Sequence, residues 1–142
     1  MSTTLYSTTA TSTGEGRVGG RVATDDGLLD VALTIPASMG GPGGATNPEQ
    51  LFAAGWASCF HSALKMIAAQ RKTPLNGSTV SADVQLTKTE AGGLALNAAL
   101  RVHIGGVTQE IADALAAAAH DVCPYSVATR GNIPVTITAD VA

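Results

Sequence analysis

The 142 residues carry 45% hydrophobic and 13% charged side chains, 4% aromatics and a net charge of −3. A chain of that length buries a core without staples and reads as a single domain over residues 1–142. The acidic balance excludes electrostatic attraction to nucleic acid or an anionic membrane, and the aromatics are too few for a base-stacking platform.

The opening Met1-Ser2-Thr3-Thr4-Leu5-Tyr6 has no basic segment and no apolar run of signal-peptide type. No apolar stretch approaches the roughly 20 residues of a spanning helix. A soluble, cytoplasmic protein is expected, and in a reducing compartment its two cysteines are redox-active or inert rather than a permanent staple. The low charge content points to a partner subunit that covers part of the surface.

Residues 5–35 read as β-structure broken by turns at Gly14, Gly16, Gly19 and Gly20. Leu29, Val31, Leu33 and Ile35 alternate with polar or small neighbours, the period of a half-buried strand. Gly40-Gly41-Pro42-Gly43-Gly44 is a loop; it lacks the Lys-Ser/Thr ending of a phosphate loop and reads as a connector. Asn47-Pro48-Glu49-Gln50 starts a helix: Asn caps, Pro fits the first position, and Gln50 sits where a capping-box partner reaches back. The helix is predicted to run to about Lys72, before Pro74, and is apolar nearly all round, which makes it central. Val80 to Leu86 and Leu94 to Ile104 alternate strictly about a turn at Lys88 to Gly93, a hairpin with one buried face. Thr108 caps a second helix, with Ile111, Leu115, Ala118 and Val122 at helical spacing, which Pro124 ends. Val135, Ile137, Ala139 and Val141 make a last strand. The order strands, helix, hairpin, helix, strand is that of an α+β domain.

Cys59 and Cys123 are the two thiols. A thiol attacks as its thiolate and needs a cation or a helix N-terminus nearby. The cations are Lys65, Lys72, Lys88, Arg17, Arg21, Arg71, Arg101 and Arg130. An arginine in an apolar site must itself be neutralised, and Glu49 is placed to hold one bidentately. Glu49 equally suits the helix dipole alone, and spacing does not separate the two readings. Glu49 and Cys59 are ten residues apart, roughly 15 Å of unbroken helix and too far for one arginine to contact both, so the helix is predicted to break or bend near Gly55 and bring Glu49 back toward Cys59. Cys59 and His61 point to different helix faces and make a poor catalytic pair. A zinc site from Cys59, His61, His120 and Cys123 lacks the usual close cysteine pair and would require one Cys/His pair to splay. His103 alternates outward on its strand, a solvated position.

The strings Asn47-Pro48-Glu49-Gln50-Leu51-Phe52-Ala53-Ala54-Gly55, Ser58-Cys59-Phe60, Val122-Cys123-Pro124-Tyr125-Ser126 and Thr129-Arg130-Gly131-Asn132 resemble the organic hydroperoxide resistance (Ohr) branch of the OsmC-like proteins, in order and spacing over nearly the whole chain. The resemblance implies antiparallel sheets wrapped around central helices in an intertwined homodimer, with both active sites at the subunit interface. It implies a thiol peroxidase that reduces organic hydroperoxides to alcohols and is recycled by a lipoylated protein or dihydrolipoamide, with no metal and no cofactor. By the family motif Cys59 is the peroxidatic cysteine, Cys123 the resolving cysteine that closes a disulfide with it, and Glu49 the acid that holds the catalytic arginine. Arg17, in Thr13-Gly14-Glu15-Gly16-Arg17, matches that arginine across one extra residue, with Arg21 the alternative. Phe52 and Phe60 would line an apolar substrate pocket. Two rival readings remain: a broader OsmC-type stress peroxidase, and a non-catalytic redox sensor or apolar-ligand-binding dimer.

Overall fold

A computed structural model describes residues 2–141. The fold is mixed α and β, two three-stranded sheets with three helices, as expected. It divides into two compact units that meet in sequence at Leu51 and Phe52.

In the first unit, β1 (Ala10–Thr13), β2 (Arg21–Thr24) and β3 (Asp30–Ala32) form an antiparallel meander in that order. The alternation at Leu29 to Ile35 yields a shorter strand than its period suggests. Leu33 has already left β3, pairs with Thr46 in an isolated parallel bridge, and is buried. Leu5, Tyr6, Val18, Leu28 and Met39 lie exposed, and all four residues of β1 face solvent. A small sheet with so little apolar cover needs another surface to be stable.

Helix α1 (Pro48–Gln70) starts as the sequence predicts. The Gln50 backbone N–H donates to Asn47 Oδ1 at 2.9 Å, a cap that contributes about 1 kcal/mol relative to alanine. The capping box does not form: Gln50 Oε1 accepts instead from the Thr46 hydroxyl at 2.7 Å. The expected break near Gly55 is absent. One unbroken helix of 23 residues passes through it, because a single glycine in a run of good helix formers costs only about 1 kcal/mol. The helix stops where Lys72 adopts φ 53°, with Thr73 N–H donating to the Ala68 carbonyl and Lys72 N–H to that of Ala69. This is a Schellman ending, formed here by lysine in place of the usual glycine.

In the second unit, β4 (Ser78–Lys88) and β5 (Leu94–Ile104) form the predicted hairpin, paired from Ser78↔Ile104 to Lys88↔Leu94. Ala98, Leu100, Val102 and Ile104 are buried on one face of β5. Helix α2 (Gln109–Val122) is capped by Thr108, whose hydroxyl accepts from Ile111 N–H. A short helix α3 (Pro124–Thr129) follows at once, where the sequence predicts only a stop at Pro124. Pro124 is its first residue, where a missing N–H costs nothing. β6 (Val135–Asp140) returns alongside β5 in parallel, a direction that strand alternation cannot encode. The second sheet is therefore mixed, not antiparallel throughout as the resemblance implies.

The core of this unit joins one stripe of α1 (Trp56, Phe60, Leu64, Ile67) to the inner face of β5 and to Ala112, Leu115, Ala116 and Ala119 of α2. The other faces of α1, although rich in alanine, stay open at Ala54, Ser58, Ser62 and Met66. Among the described residues no helix is long and apolar enough to cross a membrane.

Candidate active site

Arg17 stands in the turn between β1 and β2, residues 14–19. Glycines shape that turn and its exit. Gly16 takes φ 60°, and a Cβ on Gly20 would lie 2.5 Å from the Thr13 carbonyl oxygen. The turn presents the Arg17 guanidinium to Glu49, in the first turn of α1. Nη1 and Nη2 donate to Oε2 and Oε1 at 3.0 and 2.8 Å, a two-pronged ion pair. The Glu49 side chain retains 18% of its exposure and Arg17 33%. The guanidinium hydrogen bonds hold the Glu49 carboxyl below the usual carboxylate range, against the opposing effect of burial. The same bonds raise Arg17 further above its ordinary value. Arg21 is engaged elsewhere, through Nε to Asp30 Oδ1 at 2.6 Å, on an exposed surface. Of the two candidate arginines, Arg17 is the one Glu49 holds.

The two thiols lie in the second unit. Cys59 occupies the middle of α1 and is half-buried. Cys123 is fully buried and is the joint of two helices, the last cap of α2 and the first of α3. Both are free. The fold brings them near each other, close enough for the Cys123 thiol to act on Cys59. Burial is the main cause that pushes the Cys59 thiol above its ordinary pKa. The Tyr125 backbone N–H opposes it by donating to the sulfur, and Cys123 adds to the rise. Burial and a second thiol therefore favour the protonated form, and a cation is what would reverse that balance.

Aromatic side chains surround this part of α1. Phe52 stands edge-on to Trp56 (centroids 5.7 Å) and to Tyr125 (6.4 Å). Trp56 Nε1–H donates to Ser126 Oγ at 3.3 Å, and both residues are fully buried. Phe60, expected to line a pocket, is wholly buried in the core and has no surface to offer a ligand; Phe52 is only partly buried. Gly55, read in the sequence as a helix breaker, lies under the Tyr125 ring. Tyr125, two residues past Cys123, is a neighbour of the site that its place in the motif string alone does not reveal.

Two of the histidines have hydrogen-bond partners away from the thiols. His61 Nε2 pairs with Ser78 Oγ at 2.8 Å, and His103 pairs with Asp140 on the outer face of the second sheet. His120 is held below its ordinary pKa, first by burial and then by Arg130, whose Nη2 donates to the His120 carbonyl at 2.8 Å. Among the described residues no cluster of three or more His, Cys, Asp or Glu side chains is arranged to hold a metal ion.

Residues 41–138 match the family model described as OsmC-like protein. An organic hydroperoxide resistance protein of Xanthomonas axonopodis pv. citri (strain 306) is 46% identical over 136 residues, 94% of each chain. The organic hydroperoxide resistance protein OhrA of Bacillus subtilis (strain 168) is 44% identical over 140 residues, 96% of this chain and 97% of its own. The crystal structure of an organic hydroperoxide resistance protein from Legionella pneumophila superposes with a TM-score of 0.92 at 47% identity, covering 98% of this chain and all of that one. The paired cysteines, the arginine–glutamate clasp and this likeness over almost the full length place the chain in the OsmC-like family, among its organic hydroperoxide resistance members.

Proposed function

We propose that the protein confers resistance to organic hydroperoxides as a cysteine-based peroxidase that reduces them to alcohols. The observation that carries this reading is the meeting of two free thiols from distant parts of the chain, one half-open and one buried. Two adjacent thiols of unequal exposure suit a cycle through sulfenic acid and disulfide.

In this reading Cys59 is the peroxidatic residue. Its thiolate attacks the terminal peroxide oxygen, the O–O bond breaks, and the organic fragment leaves as an alkoxide that takes a proton from water. Cys59 is left as a sulfenic acid, and the Cys123 thiol condenses with it to a disulfide, releasing water. Arg17, held flat by Glu49, supplies the positive charge that stabilises the thiolate and orients the peroxide. Phe52 offers an apolar wall to the organic group, and Phe60 backs it from within the core. A lipoylated protein or dihydrolipoamide then reopens the disulfide.

The same reading makes the protein a homodimer in the cytoplasm, with both sites at the subunit interface. Two observations support the dimer. The first unit leaves Leu5, Tyr6, Val18, Leu28 and Met39 exposed, and α1 buries a single stripe of its apolar surface.

A turnover assay tests the function. Alkyl or cumene hydroperoxide should be consumed much faster than hydrogen peroxide, with dihydrolipoamide and not with thioredoxin. Equal rates on both peroxides would favour a broader stress peroxidase. A single stoichiometric oxidation without cycling would favour a redox sensor.

A further inference from the structure

One contact beside the thiols has no part in that chemistry. A Cβ on Gly55 would lie 3.0 Å from the phenol oxygen of Tyr125 and 3.1 Å from its Cε2, so the ring rests on bare helix backbone. Gly55 is four residues before Cys59 and shares its face of α1. The ring is flanked by Phe52, one residue further on Ser126 accepts from Trp56, and the Tyr125 N–H points at the Cys59 sulfur. Cys123 begins the short helix that carries Tyr125 and Ser126. The start of α3 is thus fastened to α1 on both sides of the redox pair.

We propose that Gly55 is a positioning residue for disulfide closure: its missing side chain seats the Tyr125 ring on α1, and that seat holds Cys123 where its thiol meets the oxidised Cys59. The inference rests on the peroxidase reading and deepens it. In the step concerned, the Cys123 sulfur attacks the Cys59 sulfur, the S–S bond forms as S–O breaks, and hydroxide leaves with the Cys123 proton as water. Closure competes with a second oxidation of the sulfenic acid by peroxide, which is irreversible for most thiols. A seat that speeds closure therefore protects the enzyme. A methyl group at Gly55 would occupy the ring's place. Tyr125 is 40% exposed and gives by turning outward, taking the start of α3 with it.

The test uses reduced full-length protein in single turnover with one equivalent of cumene hydroperoxide, trapping sulfenic acid with dimedone and following thiol loss. Gly55→Ala should slow closure about tenfold or more, since small misplacements of reacting groups cost rate steeply. Dimedone adduct and over-oxidised Cys59 should accumulate, while sulfenic acid formation slows far less. Tyr125→Ala should also slow closure, and adding Gly55→Ala to it should do little further, because the ring that the methyl displaces is already gone. A loss of global stability would not produce that non-additivity. Closure at the wild-type rate in Gly55→Ala, or additive slowing in the double variant, overturns the proposal. If Gly55→Ala does not fold, wild-type closure in Tyr125→Ala overturns it alone. Wild-type protein that forms no sulfenic acid at all sinks the peroxidase reading itself, whereas a wild type that cycles beside an unaffected Gly55→Ala sinks only the seat.

Discussion

Cys59→Ser should reduce organic hydroperoxide consumption to the uncatalysed background while leaving the fold intact. Serine is nearly the size of cysteine, and the site is half-buried rather than packed in the core, so stability should change little. A hydroxyl at neutral pH has almost no anion and no path to a sulfenic acid, so the loss is chemical and complete. Cys123→Ser should behave differently. The first equivalent of peroxide is still reduced, and the protein then stalls with Cys59 as a sulfenic acid. Excess peroxide should drive that species to the sulfinic acid, and an added small dithiol should sustain slow turnover by attacking it directly. The contrast appears in a burst experiment: no burst for Cys59→Ser, a burst of one equivalent for Cys123→Ser, and steady cycling for the wild type. A normal steady rate in Cys59→Ser would refute the assignment.

Arg17→Ala is the second large effect. Burial and the neighbouring Cys123 thiol hold Cys59 toward its protonated form, and Tyr125 N–H opposes them only in part. In the proposed mechanism the Arg17 guanidinium supplies the missing charge, and removing such a preorganised donor should lower kcat/KM about 10²–10³-fold. Arg17→Lys should recover only part of this, because an ammonium cannot match the two-pronged clasp on Glu49. Arg21→Ala should be nearly neutral, since that residue is engaged with Asp30 on the surface.

The pH dependence has a definite sign. Loss of the cation favours the protonated thiol, so the rise in rate with pH should move to higher pH in Arg17→Ala. The Glu49 carboxyl is depressed by Arg17, so the clasp is fully formed above the ordinary carboxylate range. It is lost only as pH falls through the depressed value, and it does not limit activity near neutrality. Glu49→Gln should leave the guanidinium unanchored and lower the rate, less than Arg17→Ala does. Unchanged rate and pH profile in Arg17→Ala would remove the arginine from the mechanism.

Local chemistry was legible in the sequence where a signal and its consequence lie within a turn of each other. Asn47 and Pro48 announced the start of α1, Thr108 that of α2, and the strict alternation from Leu94 to Ile104 revealed the buried face of β5. Long-range partners were not legible. Gly55 looked like a helix breaker because its reason is the Tyr125 ring, a tertiary neighbour from the start of α3. Pro124 looked like a terminator because the same residue type ends one helix and opens the next. The parallel course of β6 is set by the crossover through α2 and α3 and leaves no mark on its alternation. Gln50 turned to Thr46 rather than to its own helix end, a choice between two nearby donors that spacing does not decide. The candidate site residues themselves were named by motif. What separated Arg17 from Arg21 was three-dimensional: one faces Glu49, the other Asp30.

The most direct measurement treats reduced protein with one equivalent of cumene hydroperoxide in the absence of reductant, then counts alcohol and free thiols and maps the peptides. The account predicts one alcohol per chain, loss of both thiols, and a bond joining the Cys59 and Cys123 peptides of the same chain. Alcohol formed while both thiols remain free, or peroxide left untouched by fully reduced protein, would contradict it.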